Sequence, residues 1–260
     1  MIVAGCDIGS LSAKAVFMEG DTIIGSGVMR AGIHPAESAK QVMKLVADNA
    51  GLSLTNIGRV VATGYGKEMI PFADAMESEI VCHATGAFWN QPEVRTVIDI
   101  GGQDAKAIRM DEHGKIIRYL YNDKCASGTG RFLEVMGEAL EVKLEEMGKI
   151  SGQSTEKITI SNQCVIFAET EVVSLVNEGK PIPDILCGLH HAMASRVASL
   201  ALSIGVEDRV IMTGGVAKNS GLFAALSTSL KKTLHPMKDI DPQITGALGA
   251  ALIASRMGGK

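Results

Sequence analysis

Two cysteines, Cys125 and Cys164, are the residues of this 260-residue chain whose setting most strongly indicates chemistry. Each precedes a predicted helix, in the segments Asn122-Asp-Lys-Cys-Ala-Ser-Gly-Thr-Gly-Arg-Phe and Ser161-Asn-Gln-Cys-Val-Ile-Phe-Ala-Glu. A helix N-terminus favours negative charge and therefore lowers the pKa of a nearby thiol. An iron–sulfur cubane takes four thiolates, and one chain offers two here. Two chains related by a twofold axis would supply all four, which predicts a homodimer sharing one [4Fe–4S] cluster.

The remaining cysteines, Cys6, Cys82 and Cys187, form no CxxC pair and leave an odd total of five. This pattern argues against a disulfide framework. Cys6 in an apolar strand and Cys187 on a helix are predicted to be small core residues, the usual state of a free cysteine. We also expect the pairs Cys82-His83 and His190-His191 to be structural, because adjacent residues on a helix point apart.

A second chemical signal comes from glycine-rich turns at the ends of apolar strands. Asp7-Ile-Gly-Ser and Asp99-Ile-Gly-Gly-Gln-Asp each follow such a strand, and Thr213-Gly-Gly-Val follows a third. Glycine lets backbone N–H groups approach a phosphate, and carboxylates suit Mg²⁺. We therefore predict ATP and Mg²⁺ as ligands. The predicted nucleotide-binding residues are Gly9, Ser10, Lys14, Gly101, Gly102, Gly214, Gly215 and Val216.

The catalytic candidates of this nucleotide site are acidic and amide side chains. Asp7 and Asp99 are predicted to hold Mg²⁺ and its waters, and Gln103 or Asp104 to orient or deprotonate the attacking water. Glu169 and Glu171 are interpreted as solvated acids in the first turn of a helix. The chain has no GxxxxGK[ST] motif and no GxGxxG after its first strand, which excludes a P-loop and a Rossmann site.

The elements around these turns repeat. Strand, Asp-Ile-Gly turn, strand, turn and strand occur near the N-terminus and again from residue 96, a weak internal repeat that predicts two similar lobes. Helices are predicted at 35–49, 83–88, 130–140, 167–178, 183–204 and 244–255 from apolar spacing. The last is rich in Gly and Ala, so we expect it to pack closely against the first lobe.

The three glycine-rich turns resemble the phosphate-1, phosphate-2 and adenosine motifs of the actin/Hsp70/sugar-kinase ATPase superfamily. The resemblance implies an α/β fold with two ribonuclease-H-like lobes and ATP in the cleft between them. On this basis we assign residues 1–95 with 245–260 to the first lobe. Residues 96–244, which carry the second and third turns and both cysteines, form the second.

The Cys125 segment more closely resembles the activators of 2-hydroxyacyl-CoA dehydratases, and more loosely the BadF/BadG/BcrA/BcrD-type ATPase subunits of benzoyl-CoA reductases. Similar stretches are Ala62-Thr-Gly-Tyr-Gly, Val97–Lys106 and Met212-Thr-Gly-Gly-Val-Ala. The resemblance implies a homodimer whose [4Fe–4S] cluster is held by Cys125 and Cys164 of both subunits. It also implies a ferredoxin or flavodoxin as donor and a dehydratase or reductase with iron–sulfur clusters as partner.

Other functions remain open at this stage. The redox alternatives are a benzoyl-CoA reductase subunit and a reductase of a double-cubane cluster protein. A small-molecule kinase or a protein-remodelling ATPase of the superfamily would not need the two cysteines. The net charge of −4 indicates no nucleic acid partner, and no run reaches the roughly 18 apolar residues of a membrane span. We predict a cytoplasmic protein.

Overall fold

The computed structural model describes residues 1–161 and 164–257. Asn162 and Gln163 of the second cysteine segment, and residues 258–260 of the predicted first lobe, lie outside the described residues. The chain forms two compact units. Unit 1 comprises Met1–Val97, Met110–Ile117 and the described part of Met237–Lys260, and unit 2 comprises Ile98–Arg109 and Arg118–Pro236. The predicted lobe boundaries, which were drawn from the motifs, stay a prediction.

Unit 1 is built on a five-stranded mixed sheet. Its strand order is β3-β2-β1-β4-β5, with β1–β2 and β2–β3 antiparallel and β1–β4 and β4–β5 parallel. The elements are β1 (Ile2–Ile8), β2 (Ser12–Glu19), β3 (Thr22–Arg30), α1 (Pro35–Ala50), β4 (Ile57–Thr63), β5 (Ala75–Met76) and α2 (Glu79–Asn90).

A second five-stranded sheet lies mainly in unit 2. Its order is β10-β9-β6-β7-β8. Its strands are β6 (Thr96–Ile100), β7 (Ala105–Met110), β8 (Ile116–Asn122), β9 (Val210–Thr213) and β10 (Leu234–His235). The helices are α3 (Gly130–Ala139), α4 (Leu144–Ser151), α5 (Val165–Asn177), α6 (Ile182–Leu202) and α7 (Ser220–Leu230). Helix α8 (Thr245–Arg256) returns to unit 1.

The two sheets share one topology, which confirms the internal repeat. In each sheet, the first strand in chain order is central. The second and third strands follow it on one side, and the fourth and fifth strands follow it on the other. Each unit has its own apolar core, one of which packs β6 and β7 with α3 to α7. The cores of unit 1 cover the two faces of the first sheet, with α1 on one face and α8 on the other.

Small residues let α8 lie directly on the first sheet and on α2. A Cβ at Gly5 in β1 would overlap the backbone of Ala247, and a Cβ at Gly249 would overlap the backbone of Cys82. Ala250, Ala251 and most other apolar residues of this helix are buried, and Ile253 is partly buried. The helix thus closes unit 1 from the end of the chain.

Helix α6 is the one described helix that is long and apolar enough to cross a membrane. Slightly more than half of its most apolar stretch is buried, 56%, and its inward residues form the centre of the unit 2 core. Core helices of globular proteins share this composition, and its packing accounts for its apolar character.

His190 on α6 is a buried polar group in this core. It is 2% exposed, and its Nδ1 lies 3.0 Å from Ser151 Oγ of α4, while its Nε2 has no hydrogen-bond partner among the residues described. Burial, with a smaller effect of His191, lowers the pKa of His190 from 6.5 to about 4. The ring is therefore neutral in the folded protein near pH 7.

This depressed pKa predicts acid sensitivity. As pH falls below about 6.5, the unfolded chain takes up a proton at His190 that the folded chain refuses down to about pH 4. The contribution of neutral His190 to the free energy of unfolding is fully present above pH 6.5. It is lost between pH 6.5 and 4, at about 1.4 kcal/mol per pH unit. We expect His190→Asn, which cannot titrate, to flatten the decline in urea-unfolding free energy from pH 7 to 5. The neighbouring, exposed His191→Asn should leave it steep, and equal slopes in the two variants would contradict this origin.

Candidate functional site

The first Asp-x-Gly turn lies at the end of β1. Asp7 is 5% exposed and pairs in register with Lys14 of β2, whose Nζ lies 3.2 Å from Asp7 Oδ2. Gly9 and Ser10 lie in the turn itself, where Gly9 N–H donates to the carbonyl of Ser12. The structure therefore brings the predicted Asp7, Gly9, Ser10 and Lys14 together at one strand end.

The second Asp-x-Gly turn joins β6 to β7. Asp99 is 2% exposed and accepts a hydrogen bond from Thr213 Oγ1 at 3.0 Å. Gly101 N–H donates to the carbonyl of Asp104, which closes the turn containing Gly102 and Gln103. The Gln103 side chain is exposed. Of the two water-activating candidates, Asp104 is held in the turn and Gln103 projects from it.

Lys106 is a charged member of this site that the sequence interpretation missed. It is 6% exposed, and its Nζ lies 3.3 Å from Asp99 Oδ2 and 2.6 Å from Asp104 Oδ2. It follows Asp99 by seven positions, as Lys14 follows Asp7, and both lysines stand on the strand after the turn. The internal repeat could have identified Lys106, because Lys14 occupies the equivalent position on the strand after the first turn.

The fourth strand of each sheet adds an equivalent Thr-Gly pair. Gly64 follows β4 with φ +90°, and Gly214 follows β9 with φ +84°. A Cβ at Gly64 would overlap Asp7 Oδ1, and one at Gly214 would lie 2.7 Å from Asp99 Oδ1. Both positions need glycine because of the positive φ and the adjacent carboxylate. Each unit therefore presents the same constellation of a buried Asp, a Lys and a close-packed glycine.

The third glycine-rich turn is only partly exposed. Gly215 begins a short 3₁₀ turn, Gly215–Lys218, and Asn219 caps α7 by accepting from Leu222 N–H. The side chain of Val216 is buried in the core of unit 2 and faces Gly130. Gly214 and Gly215 remain the predicted nucleotide contacts of this turn, and Val216 supports it from within.

A direct connection joins the Asp99 turn to the start of α3. Gly130 N–H donates to the carbonyl of Gly101, and Arg131 N–H donates to the carbonyl of Gly102, both at 2.8 Å. The first N–H groups of a helix have no partner within the helix, so these two bonds satisfy them. The same helix follows the Cys125 segment. These bonds hold the start of α3, five residues after Cys125, against the Asp99 turn.

Cys125 lies in a turn that is closed by polar side chains. Asn122 Nδ2 donates to the Cys125 carbonyl at 2.7 Å, and Ser127 Oγ lies 3.0 Å from Cys125 Sγ. The Ser127 hydroxyl, then the Ser127 N–H and the charge of Arg196, lower the pKa of Cys125 against the opposing effect of burial. The residue stands five positions before α3, so this turn, rather than the helix terminus of the sequence-based argument, favours its thiolate.

Cys164 is the residue immediately before α5. It is the N-cap of this helix and is exposed. Glu171, in the second turn of α5, accepts bonds from the N–H and the hydroxyl of Ser161, all at 2.9 Å. Glu171 therefore fastens the segment before Cys164 to the helix after it, so its interpretation as a solvated first-turn acid was wrong. Glu169 is exposed.

Two of the other cysteines are inaccessible, and Cys187 has the same intermediate exposure as Cys125. Cys6 and Cys82 are fully buried, and burial raises the pKa of both thiols, to about 12 for Cys82. Cys187 is half-buried on α6. Cys6 and Cys82 therefore offer no sulfur to a site shared at the surface. Cys125 and Cys164 remain the predicted ligands of such a site.

The donor set of one chain fits half of a cubane. Among residues 1–161 and 164–257, no group of three or more metal-ligating side chains occurs. Cys125 is half-exposed, Cys164 is exposed, and the helices that follow them, α3 and α5, pack against each other. Two accessible thiols in unit 2 are half of a four-thiolate set, which a second chain would complete.

The chain is similar to proteins named as activators of acyl-CoA dehydratases. The chain is 45% identical over 255 residues to an activator of lactoyl-CoA dehydratase from Anaerotignum propionicum, covering 98% of this chain and 97% of that protein. It is 40% identical over 260 residues to the (R)-2-hydroxyglutaryl-CoA dehydratase activating ATPase of Acidaminococcus fermentans, covering 98% of each.

A solved structure gives the same result for the fold. The activator of 2-hydroxyisocaproyl-CoA dehydratase from Clostridium difficile, with bound ADPNP, superposes with a TM-score of 0.94 at 42% identity. The match covers 100% of this chain and 98% of that one. This confirms the predicted α/β fold with two actin/Hsp70-type lobes. The model of the BadF/BadG/BcrA/BcrD ATPase family matches residues 4–254, so the chain belongs to this family.

Proposed function

We propose that this protein is an ATP-dependent activator that delivers single low-potential electrons to a 2-hydroxyacyl-CoA dehydratase-type partner. The observation that carries the proposal is the pair of hydrogen bonds from Gly130 and Arg131 to the Asp99 turn. They connect a predicted phosphate-binding turn with the helix that follows a candidate cluster ligand. Two relatives are named as dehydratase activators, which supports the proposed partner. A third similar protein was solved with bound ADPNP, which supports the proposed nucleotide site.

The nucleotide roles follow from the two repeated constellations. Asp7 and Asp99 would hold Mg²⁺ through its waters, because Mg²⁺ prefers oxygen ligands and retains several waters. Lys14 and Lys106 lie 3.2 Å and 3.3 Å from these carboxylates and add positive charge beside the phosphates. Backbone N–H groups of the turns at Gly9–Ser10 and Gly101–Gly102 would contact phosphate oxygens. Gln103, which is exposed in the same turn, or Asp104 would orient or deprotonate the attacking water.

Cys125 and Cys164 of two chains would hold one [4Fe–4S] cluster, which supplies a one-electron carrier. Uncovered apolar side chains beside Cys164 favour a second copy of the chain as the neighbour. Ile166 and Phe167, in the first turn of α5, are 70% and 62% exposed, and Val173 and Val176 continue the exposed apolar surface. Large apolar side chains exposed next to one another favour an interaction site. We expect this surface to be covered in the homodimer.

Electron supply and location complete the proposal. A ferredoxin or flavodoxin would reduce the homodimer, and the reduced protein would dock on a dehydratase or reductase component that carries iron–sulfur clusters. We expect this function in the cytoplasm, where thiols remain reduced.

The test is the metal content and ATP turnover of protein purified without oxygen. We expect about four irons and four sulfides per dimer, with the broad visible absorption of a [4Fe–4S] cluster, and ATP hydrolysis that requires Mg²⁺. Cys125→Ser should remove the iron, because oxygen replaces one thiolate in each half of the site. Cys187→Ser, a matched change of a half-buried cysteine on α6, should retain it.

Two results would contradict the proposal. An iron-free dimer that hydrolyses ATP would leave a kinase or a protein-remodelling ATPase. A protein with full iron that fails to activate any 2-hydroxyacyl-CoA dehydratase, but reduces another clustered partner, would retain the redox function and replace the acceptor.

A further inference from the structure

The two candidate ligands of unit 2 differ in their hydrogen bonding. Cys125 Sγ lies 3.0 Å from Ser127 Oγ. Cys164 is exposed, and the described part of the chain provides no hydrogen bond to its sulfur. In a shared site, each chain would thus contribute one hydrogen-bonded sulfur and one that lacks a described donor.

Ligation fixes the direction of the Ser127–Cys125 bond. In the free thiol, either atom can donate. A thiolate bound to iron has no proton, so only the Ser127 hydroxyl can donate. Ser127 is 4% exposed, and a buried hydroxyl without a partner is costly, which keeps this bond formed.

We propose that Ser127 is a positioning residue that sets the reduction potential of the cluster by donating its hydroxyl to Cys125 Sγ. The inference rests on the proposed function, since it requires the cluster. Reduction adds one negative charge, which spreads partly onto the ligand sulfurs. A hydrogen-bond donor stabilises the more negative state, so the Ser127 hydroxyl raises the potential. The effect is to make the electron easier to accept from the donor protein.

A cavity beside Ser127 provides space for substitutions that retain or remove this hydroxyl group. It measures about 240 Å³ and is lined by Ser127, Arg196 and Ser203 among others, all in unit 2. There is therefore room for one more methyl group at position 127. Ser127→Thr keeps the hydroxyl and adds a methyl group. Ser127→Val has the shape of threonine but carries a methyl group in place of the hydroxyl, and this methyl group also excludes a water that could replace the hydroxyl. Ser203→Val makes the same change on the cavity wall away from the sulfur.

The experiment is an anaerobic redox titration of the homodimer, followed by the electron paramagnetic resonance signal of the reduced cluster. Each cluster takes up one electron from titanium(III) citrate, and each Ti(III) is oxidised to Ti(IV). We expect Ser127→Val to lower the equilibrium constant for reduction about tenfold, which is about 59 mV for a one-electron couple. Ser127→Thr and Ser203→Val should stay within about twofold of the wild type. The reduced cluster should also lose one exchangeable-proton coupling in Ser127→Val only.

The outcomes separate this inference from the proposed function. Equal potentials in iron-replete wild type, Ser127→Val and Ser127→Thr would overturn the assignment of Ser127 alone. Loss of iron from either Ser127 variant would show that the side chain retains the cluster rather than sets its potential, and would overturn it too. A wild-type protein without iron would overturn the proposed function and this inference together.

Discussion

Replacing Lys106 with methionine is expected to destabilise the protein by about 3–5 kcal/mol and to abolish most ATP hydrolysis. The substitution keeps the length of the side chain and removes the ammonium that lies between Asp99 and Asp104. Asp99 and Lys106 are both almost fully buried, and removing one charge of a buried pair leaves the other poorly compensated, which is the source of the large cost. The measurements are the urea-unfolding free energy at pH 7 and the steady-state rate of ATP hydrolysis.

A double-mutant cycle identifies the cause. Adding Asp99→Asn to Lys106→Met removes the uncompensated charge, so the double variant should unfold at higher urea than Lys106→Met alone. Its ATP hydrolysis should stay low, because Asp99 is also the proposed Mg²⁺ residue. Lys149→Met, on the exposed face of α4, is the matched control and should change neither property. Additive losses in the double variant would show that Lys106 stabilises the unit without acting through Asp99.

Local sequence patterns predicted much of the fold. An apolar strand that ends in Asp-x-Gly is readable without tertiary information, and its recurrence predicted the repeat that the two identical strand orders confirm. Helix α1 was predicted from apolar spacing and a glycine stop, and Gly51 does adopt the left-handed conformation at its C-cap. The short helices α4 and α7 received no prediction, because a segment of 8 or 11 residues offers few turns in which to show periodicity.

The site was harder to predict than the fold, because its contacts depend on strand pairing and turn conformation. Lys106 meets Asp99 only because β6 and β7 are neighbours in the second sheet. Ser127 reaches Cys125 Sγ through the conformation of a turn that the sequence interpretation placed directly before a helix. Glu171 of α5 meets Ser161 although ten positions separate them in the chain. Composition and spacing identify such residues as polar but do not pair them.

Introducing a charge at Phe167 is expected to separate the homodimer and to release its iron. Phe167 is 62% exposed in the first turn of α5, three positions after Cys164, and Ile166 beside it is 70% exposed. If a second copy covers this surface, Phe167→Glu places an unpaired carboxylate in an apolar interface, which costs several kcal/mol. Since each 1.4 kcal/mol is tenfold in affinity, the dimer dissociation constant should rise by about two orders of magnitude or more. Iron should be lost in parallel, because each chain retains only two of four thiolates.

Sedimentation velocity and iron analysis without oxygen measure both effects on the same sample. Leu54→Glu is the matched control: Leu54 is 44% exposed in unit 1, which carries neither Cys125 nor Cys164, and its replacement should leave dimer and iron intact. ATP binding by the Phe167→Glu monomer should persist, because the proposed nucleotide residues belong to other elements. A Phe167→Glu protein that remains dimeric with full iron would place the shared interface on another surface. A dimer that keeps its iron but fails to activate the dehydratase would assign this apolar surface to the partner enzyme instead.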